Sequence, residues 1–137
     1  MEIISKKINK DLKLILFKVP IYDSRICFIK HDGNKGYDKA LKYVESLGMD
    51  MHEYRDISWR HCYGFALSHQ VKVGMVHFVF MNNKKDYRKD YINTLSHEIT
   101  HLVDHIAKHH GLTRQKDGAN EHFAYLTGYL TDFLFKV

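Results

Sequence analysis

From Tyr91 to His109 apolar residues return with the period of an α-helix, and the residues between them restrict how that helix can be buried. Ile92, Leu95, Ile99, Leu102, Val103 and Ile106 fall three or four apart, the pattern of a helix with one face in a core. His97, Glu98, His101, Asp104 and His105 form a polar band along the same helix. Polar groups carried into a small domain need partners, and a metal ion can supply them to imidazoles. The helix is expected to start near Tyr87 or Tyr91, with Asp86 or Asp90 as N-cap, and to close at Gly111.

Other elements follow from periodicity and turn residues. Leu12–Val19 and Arg25–Lys30 read as strands, with a loop at Pro20–Ser24. A helix is expected over about Tyr37–Leu47, presenting Ala40, Leu41, Val44 and Leu47 on one face and ending at Gly48. Residues 49–60 show no pattern. Cys62–Ser68 and Val73–Met81 read as two more strands, the second the most β-prone stretch in the chain. A polar loop after Gly111 leads to a last helix over about Ala119–Phe135, with a seam of Phe123, Leu126, Leu130 and Phe133. The expected fold class is α+β: a small N-terminal sheet with one helix, followed by two packed C-terminal helices.

At 137 residues, with 45% hydrophobic and 27% charged residues, the chain has the balance of one globular domain, residues 1–137. No stretch reaches the roughly 20 apolar residues that span a bilayer, and the first residues do not read as a signal peptide. The expectation is a cytoplasmic protein without a membrane partner, in the host cytoplasm if phage-encoded. Cys27 and Cys62 stand far apart and read as free thiols packed in apolar runs. The net charge of +5 is spread along the chain, so nucleic acid is not the expected main partner.

The chemistry concentrates where the eleven histidines crowd. His97-Glu98-Ile99-Thr100-His101 is an HExxH motif. Residues four apart on a helix differ by about 40° around its axis, so two imidazoles can converge on one zinc ion at about 2.0–2.1 Å. Glu98 lies too far round to ligate with them, yet near enough to take a proton from water at the metal. Glu121, at the start of the final helix, is the favoured third ligand. Ala124, Tyr125 and Gly128 share its face, and the small residues there would let the helix approach the metal helix. Asp104 and His105 compete for that role, although three histidines at consecutive i, i+4 positions drift by about 80°. His109 and His110 read as cations at a helix C-terminus. His122 is a rim residue that could donate to a reacting carbonyl. Tyr125 or Tyr129 could stabilise an oxyanion, or simply pack.

HEITH followed by Glu121 resembles the thermolysin-type gluzincins, in which HExxH and a later Glu on the next helix bind zinc. The likeness covers about residues 90–130. It implies a zincin-like domain with His97, His101 and Glu121 as ligands and Glu98 as catalytic base. Such gluzincins carry an Asp four residues after the ligand Glu; Tyr125 stands there, leaving Asp104 or Tyr125 to orient an imidazole. The Glu121-His122-Phe123-Ala124-Tyr125 run is also similar to the third-ligand helix of small HExxH proteins, some phage-encoded, and of the ImmA and IrrE relatives. The implied activity is zinc-dependent hydrolysis of a peptide bond in a peptide or protein substrate. In zincin-like folds a strand preceding the metal helix pairs with the extended peptide; Val73–Met81 is either that strand or an interior one. A different reading keeps the zincin core as a binding or assembly protein, for instance a phage component, with a structural or vestigial metal. A third, DNA-associated proteolysis of the SprT type, rests only on the basic aromatic run Tyr87–Tyr91.

Overall fold

Along Leu12–Val19 the side chains of both faces are apolar, and both sets are buried: Leu12, Leu14 and Leu16 on one side, Ile15, Phe17 and Val19 on the other. A strand of that kind needs a packed layer above and below it. The computed structural model, which describes residues 2–19, 24–72, 74–113 and 120–137, provides both layers. Its strands are β1 (Glu2–Ile8), β2 (Leu12–Val19), β3 (Ser24–His31), β4 (Gly64–Val71) and β5 (Gly74–Asn82). Its helices are α1 (Gly33–Ser46), α2 (Ile57–Arg60), α3 (Lys85–Arg88), α4 (Tyr91–His109) and α5 (Glu121–Leu134), with a 3₁₀ turn at His52–Arg55.

The five strands form one mixed sheet in the order β1-β2-β3-β5-β4. Pairing is antiparallel except between β3 and β5, where Arg25 stands beside Val76 and His31 beside Asn82. The α+β class expected from the sequence is therefore observed. On one face α1 buries Tyr37, Ala40, Leu41 and Val44 against Leu14, Leu16, Ile29, Phe78 and Phe80. On the other, α4 and α5 bury Leu95, Ile99, Leu102, Ile106, Phe123, Leu126 and Leu130 against Phe17, Phe28, Val79 and Met81. Among the described residues no helix is long and apolar enough to cross a membrane.

Several boundaries differ from the sequence reading for identifiable reasons. The first strand, β1, has no counterpart there: its side chains are mostly exposed on both faces, so no burial pattern marks it. The first helix begins at Gly33, not Tyr37, and Gly36 lies inside it, where a Cβ would run into the Asp11 carbonyl oxygen. Gly36 is thus a packing glycine within the helix. Residues 49–60 contain two short helical turns, too brief to show a period. The most β-prone strand, β5, is interior, and β4 lies at the edge. Pro20–Asp23, Val73 and Arg114–Ala119 lie outside the described residues, and with them most of the loop expected at Pro20–Ser24, the strand start expected at Val73 and the helix start expected at Ala119; α5 runs from Glu121. Ile92, expected on the buried stripe of α4, is 71% exposed.

His31 and His77 are buried in this frame. Burial, with the charge of Arg60 for the first and of His105, His109 and His110 for the second, pushes both down to about 4. A free imidazole titrates at about 6.5, so the unfolded chain takes up protons that the folded chain refuses. The stability these neutral rings allow is present above pH 6.5 and is lost as the pH falls towards 4. We expect urea unfolding to show a loss of about 2 kcal/mol per ring between pH 7 and pH 5. A His77→Gln variant should lose about half of that slope; an unchanged slope would contradict the burial of His77.

Candidate metal centre

The near approach of α4 to the sheet begins at Gly64. A Cβ there would stand 2.9 Å from the Phe80 carbonyl oxygen and 3.0 Å from Thr94 Cγ2. With only hydrogen at that point, the first half of α4 settles against the start of β4. The next turn of the helix then sets Glu98 beside Gly64, Phe65 and Ala66 in a depression of about 190 Å³ that Trp59, His101 and His105 also line.

Two of the expected ligands meet. His97 Nε2 and His101 Nε2 are 3.1 Å apart, their rings inclined at 78°. Two nitrogens bound to one tetrahedral zinc at about 2.05 Å would lie about 3.3 Å apart, so the pair suits such an ion with little adjustment. Glu98 lies beside them, Oε1 at 3.9 Å from His97 Nε2. Its environment is unusual for a carboxylate: the residue is 4% exposed, and Oε2 is buried with no hydrogen-bond partner among the described residues. Burial raises its pKa, against the pull of His97 and His101. A buried and uncommitted carboxylate is costly to the fold, and groups so perturbed concentrate at functional sites.

The α5 residues lie elsewhere. Glu121 is exposed and borders a separate depression of about 380 Å³ with Gly111, Leu112, Thr113, Asn120 and His122. Neither Glu121, His122 nor Tyr125 lines the depression at Glu98. Phe123, Leu126, Leu130 and Leu134 have far more apolar surface to bury than Ala124 and Gly128, so they turn α5 with its small residues to solvent. A Cβ at Gly128 would meet nothing within 4 Å. Tyr125 is 40% exposed and stacks on Tyr129 with centroids 6.1 Å apart. Among the described residues, no group of three His, Cys, Asp or Glu side chains is placed to hold a metal.

The histidine row continues along α4. The His105 ring stacks on His101 at 6.4 Å, and its Nδ1 is buried without a hydrogen-bond partner among the described residues. It also borders a second depression, where His77 Nδ1 meets Ser68 Oγ at 2.6 Å and the His109 ring lies 6.0 Å from that of His77. His110, expected as a terminal cation, meets Ser24 Oγ at 2.9 Å. Trp59, Phe65 and His77 were not among the expected site residues. No spacing links them to HEITH; only the pairing of β4 with β5 and the packing of α4 bring them there. Both cysteines are free, Cys27 fully buried. Comparison of the chain with protein-family profiles, with curated proteins and with solved structures gives no match.

Since Glu98 is buried as an uncompensated charge, removing the charge should not weaken the metal-free fold. Glu98→Gln is expected to be as stable as the parent at pH 7, or more stable by up to about 1 kcal/mol. A loss above about 1 kcal/mol in urea titration would identify Glu98 as a structural residue.

Proposed function

We propose that the chain is a zinc-dependent peptidase of zincin-like design, acting on an extended peptide or protein segment. The observation that carries this reading is Glu98, buried and uncommitted beside a histidine pair whose Nε2 atoms stand 3.1 Å apart. His97 and His101 would hold the ion. Glu121, on the rim of a separate depression in this structure, would complete a two-His, one-Glu set if α5 brought it to the pair. Zinc there would supply Lewis acidity, polarising a carbonyl and acidifying water.

Glu98 accepts the proton of the attacking water at its buried carboxylate and passes it to the departing amine. Its raised pKa makes it a better base than an exposed glutamate, and the opposing His97 and His101 keep it from rising without limit. The free edge of β4 presents backbone donors and acceptors alongside Glu98, where an extended segment can add as a further strand. That role passes from β5, which is paired on both sides. The substrate is a peptide or protein met in the cytoplasm. Tyr125 and His122 would act on the substrate only from α5.

One observation favours the non-catalytic reading, a binding or assembly domain with a vestigial site: Glu121 borders a depression apart from the histidines. Metal analysis and proteolysis separate the two. Purified protein should carry about one zinc per chain and cleave an unfolded protein substrate. Glu98→Gln should retain the zinc and lose cleavage by at least about 100-fold. Glu121→Ala should lose zinc, while Asp104→Ala keeps it. Zinc retained in Glu121→Ala but lost in His105→Ala would transfer the third position to His105. No zinc in the parent protein would leave the binding reading.

A further inference from the structure

Parallel strands β3 and β5 end side by side, His31 next to Asn82, and α1 starts two residues beyond the end of β3. In sheets with parallel strands, ligands collect beyond the strand carboxyl ends, where helix N-termini point their free N–H groups. A cleft of about 60 Å³ lies at that place, lined by His31, Gly33, Asn34, Arg60, His61 and Lys84. One water needs about 10–15 Å³ measured this way, so the cleft has room for a small polyatomic ion and not for a nucleotide base.

Three features make it a site for negative charge. First, α1 has no acidic residue in its first turn, and its N-cap Asp32 makes no capping hydrogen bond; the Asp32 carboxylate turns to Arg88 Nη2 at 3.5 Å. The N–H groups of the first turn therefore lack the usual side-chain acceptor. Second, the cationic residues arrive from two other segments. Arg60 is held over the Tyr37 ring at 5.0 Å and bonded to Asp38 at 2.8 Å, while the exposed Lys84 has no carboxylate partner among the described residues. Third, His31 is 2% exposed, its ring edge-on to Tyr37 at 5.0 Å, and it lines the cleft with no hydrogen bond to either ring nitrogen among the described residues. A buried imidazole with unused hydrogen-bonding capacity, facing a polar cleft, calls for a polar occupant.

We infer that this cleft binds a tetrahedral oxyanion: phosphate, free or as a monoester. The first-turn N–H groups of α1 and the Lys84 ammonium donate to the oxygens, His31 donates from beneath, and Arg60 supplies positive charge on the third side. The site is separate from the metal centre and does not depend on peptidase activity.

The test is an amide NMR titration of the whole chain with inorganic phosphate, against potassium chloride at equal ionic strength. Gly33 and Asn34 resonances should shift and saturate with phosphate and not with chloride. Lys84→Ala should weaken the binding at least fivefold, while the neighbouring Lys85→Ala stays within twofold. O-phosphoserine, titrated in parallel, identifies the source: tighter binding than phosphate means a monoester, and equal or weaker binding means the free ion. Shifts that fail to saturate with either compound, or that persist unchanged in Lys84→Ala, would overturn the inference.

Discussion

The parallel pairing of β3 with β5 is the constraint on which the rest of the molecule depends. Antiparallel neighbours can be joined by a tight turn, but parallel ones need a crossover long enough to return to the same end of the sheet. Here that crossover holds α1, the 3₁₀ turn, α2 and β4. It covers one face of the sheet with α1, and it delivers β4 to the open edge before the chain turns back as β5. The other face then remains for α4 and α5, whose apolar stripes meet Phe17, Phe28 and Val79. Both candidate sites are consequences. The oxyanion cleft lies where the crossover leaves β3, and the HEITH depression lies where α4 crosses the strand that the crossover put at the edge.

What could be read from the sequence was what carries a period. Burial on both faces makes β2, β3 and β5 near-continuous apolar runs, and α4 shows its helical repeat over five turns, so each was legible within a few residues. The features that escaped carry no period. Exposure on both sides hides β1. The two turns at 52–60 are shorter than any repeat. Gly36 and Gly64 resemble turn residues, and only the nearness of Asp11 and of Thr94 reveals that they are contacts.

The candidate site divides in the same way. HEITH was legible because its chemistry is local: two imidazoles one helical turn apart meet whatever the rest of the chain does. The burial of Glu98 was not, since the motif puts it in a polar band and only β4 takes it out of water. The position of Glu121 relative to the histidines depends on how α5 rotates about its axis. A seam of Phe123, Leu126, Leu130 and Leu134 sets that rotation by apolar area, against the close approach that the small Ala124 and Gly128 would allow. Apolar area has the greater energy at stake.

The two depressions share one short element. Trp59 lines the one at Glu98, and Arg60 with His61 lines the cleft at α1, so adjacent residues of α2 face different sites. Asp56 caps this turn through Ser58 N at 2.9 Å, Trp59 packs edge-on to Phe65 at 5.0 Å, and Arg60 bonds to Asp38. Those three contacts fix the turn against the cap, the β4 strand and α1 in that order. A four-residue helix has almost no stability of its own, so its place is set entirely by what its side chains touch. Arg60 at the oxyanion cleft and Trp59 at the HEITH depression are therefore held in place by one and the same short segment.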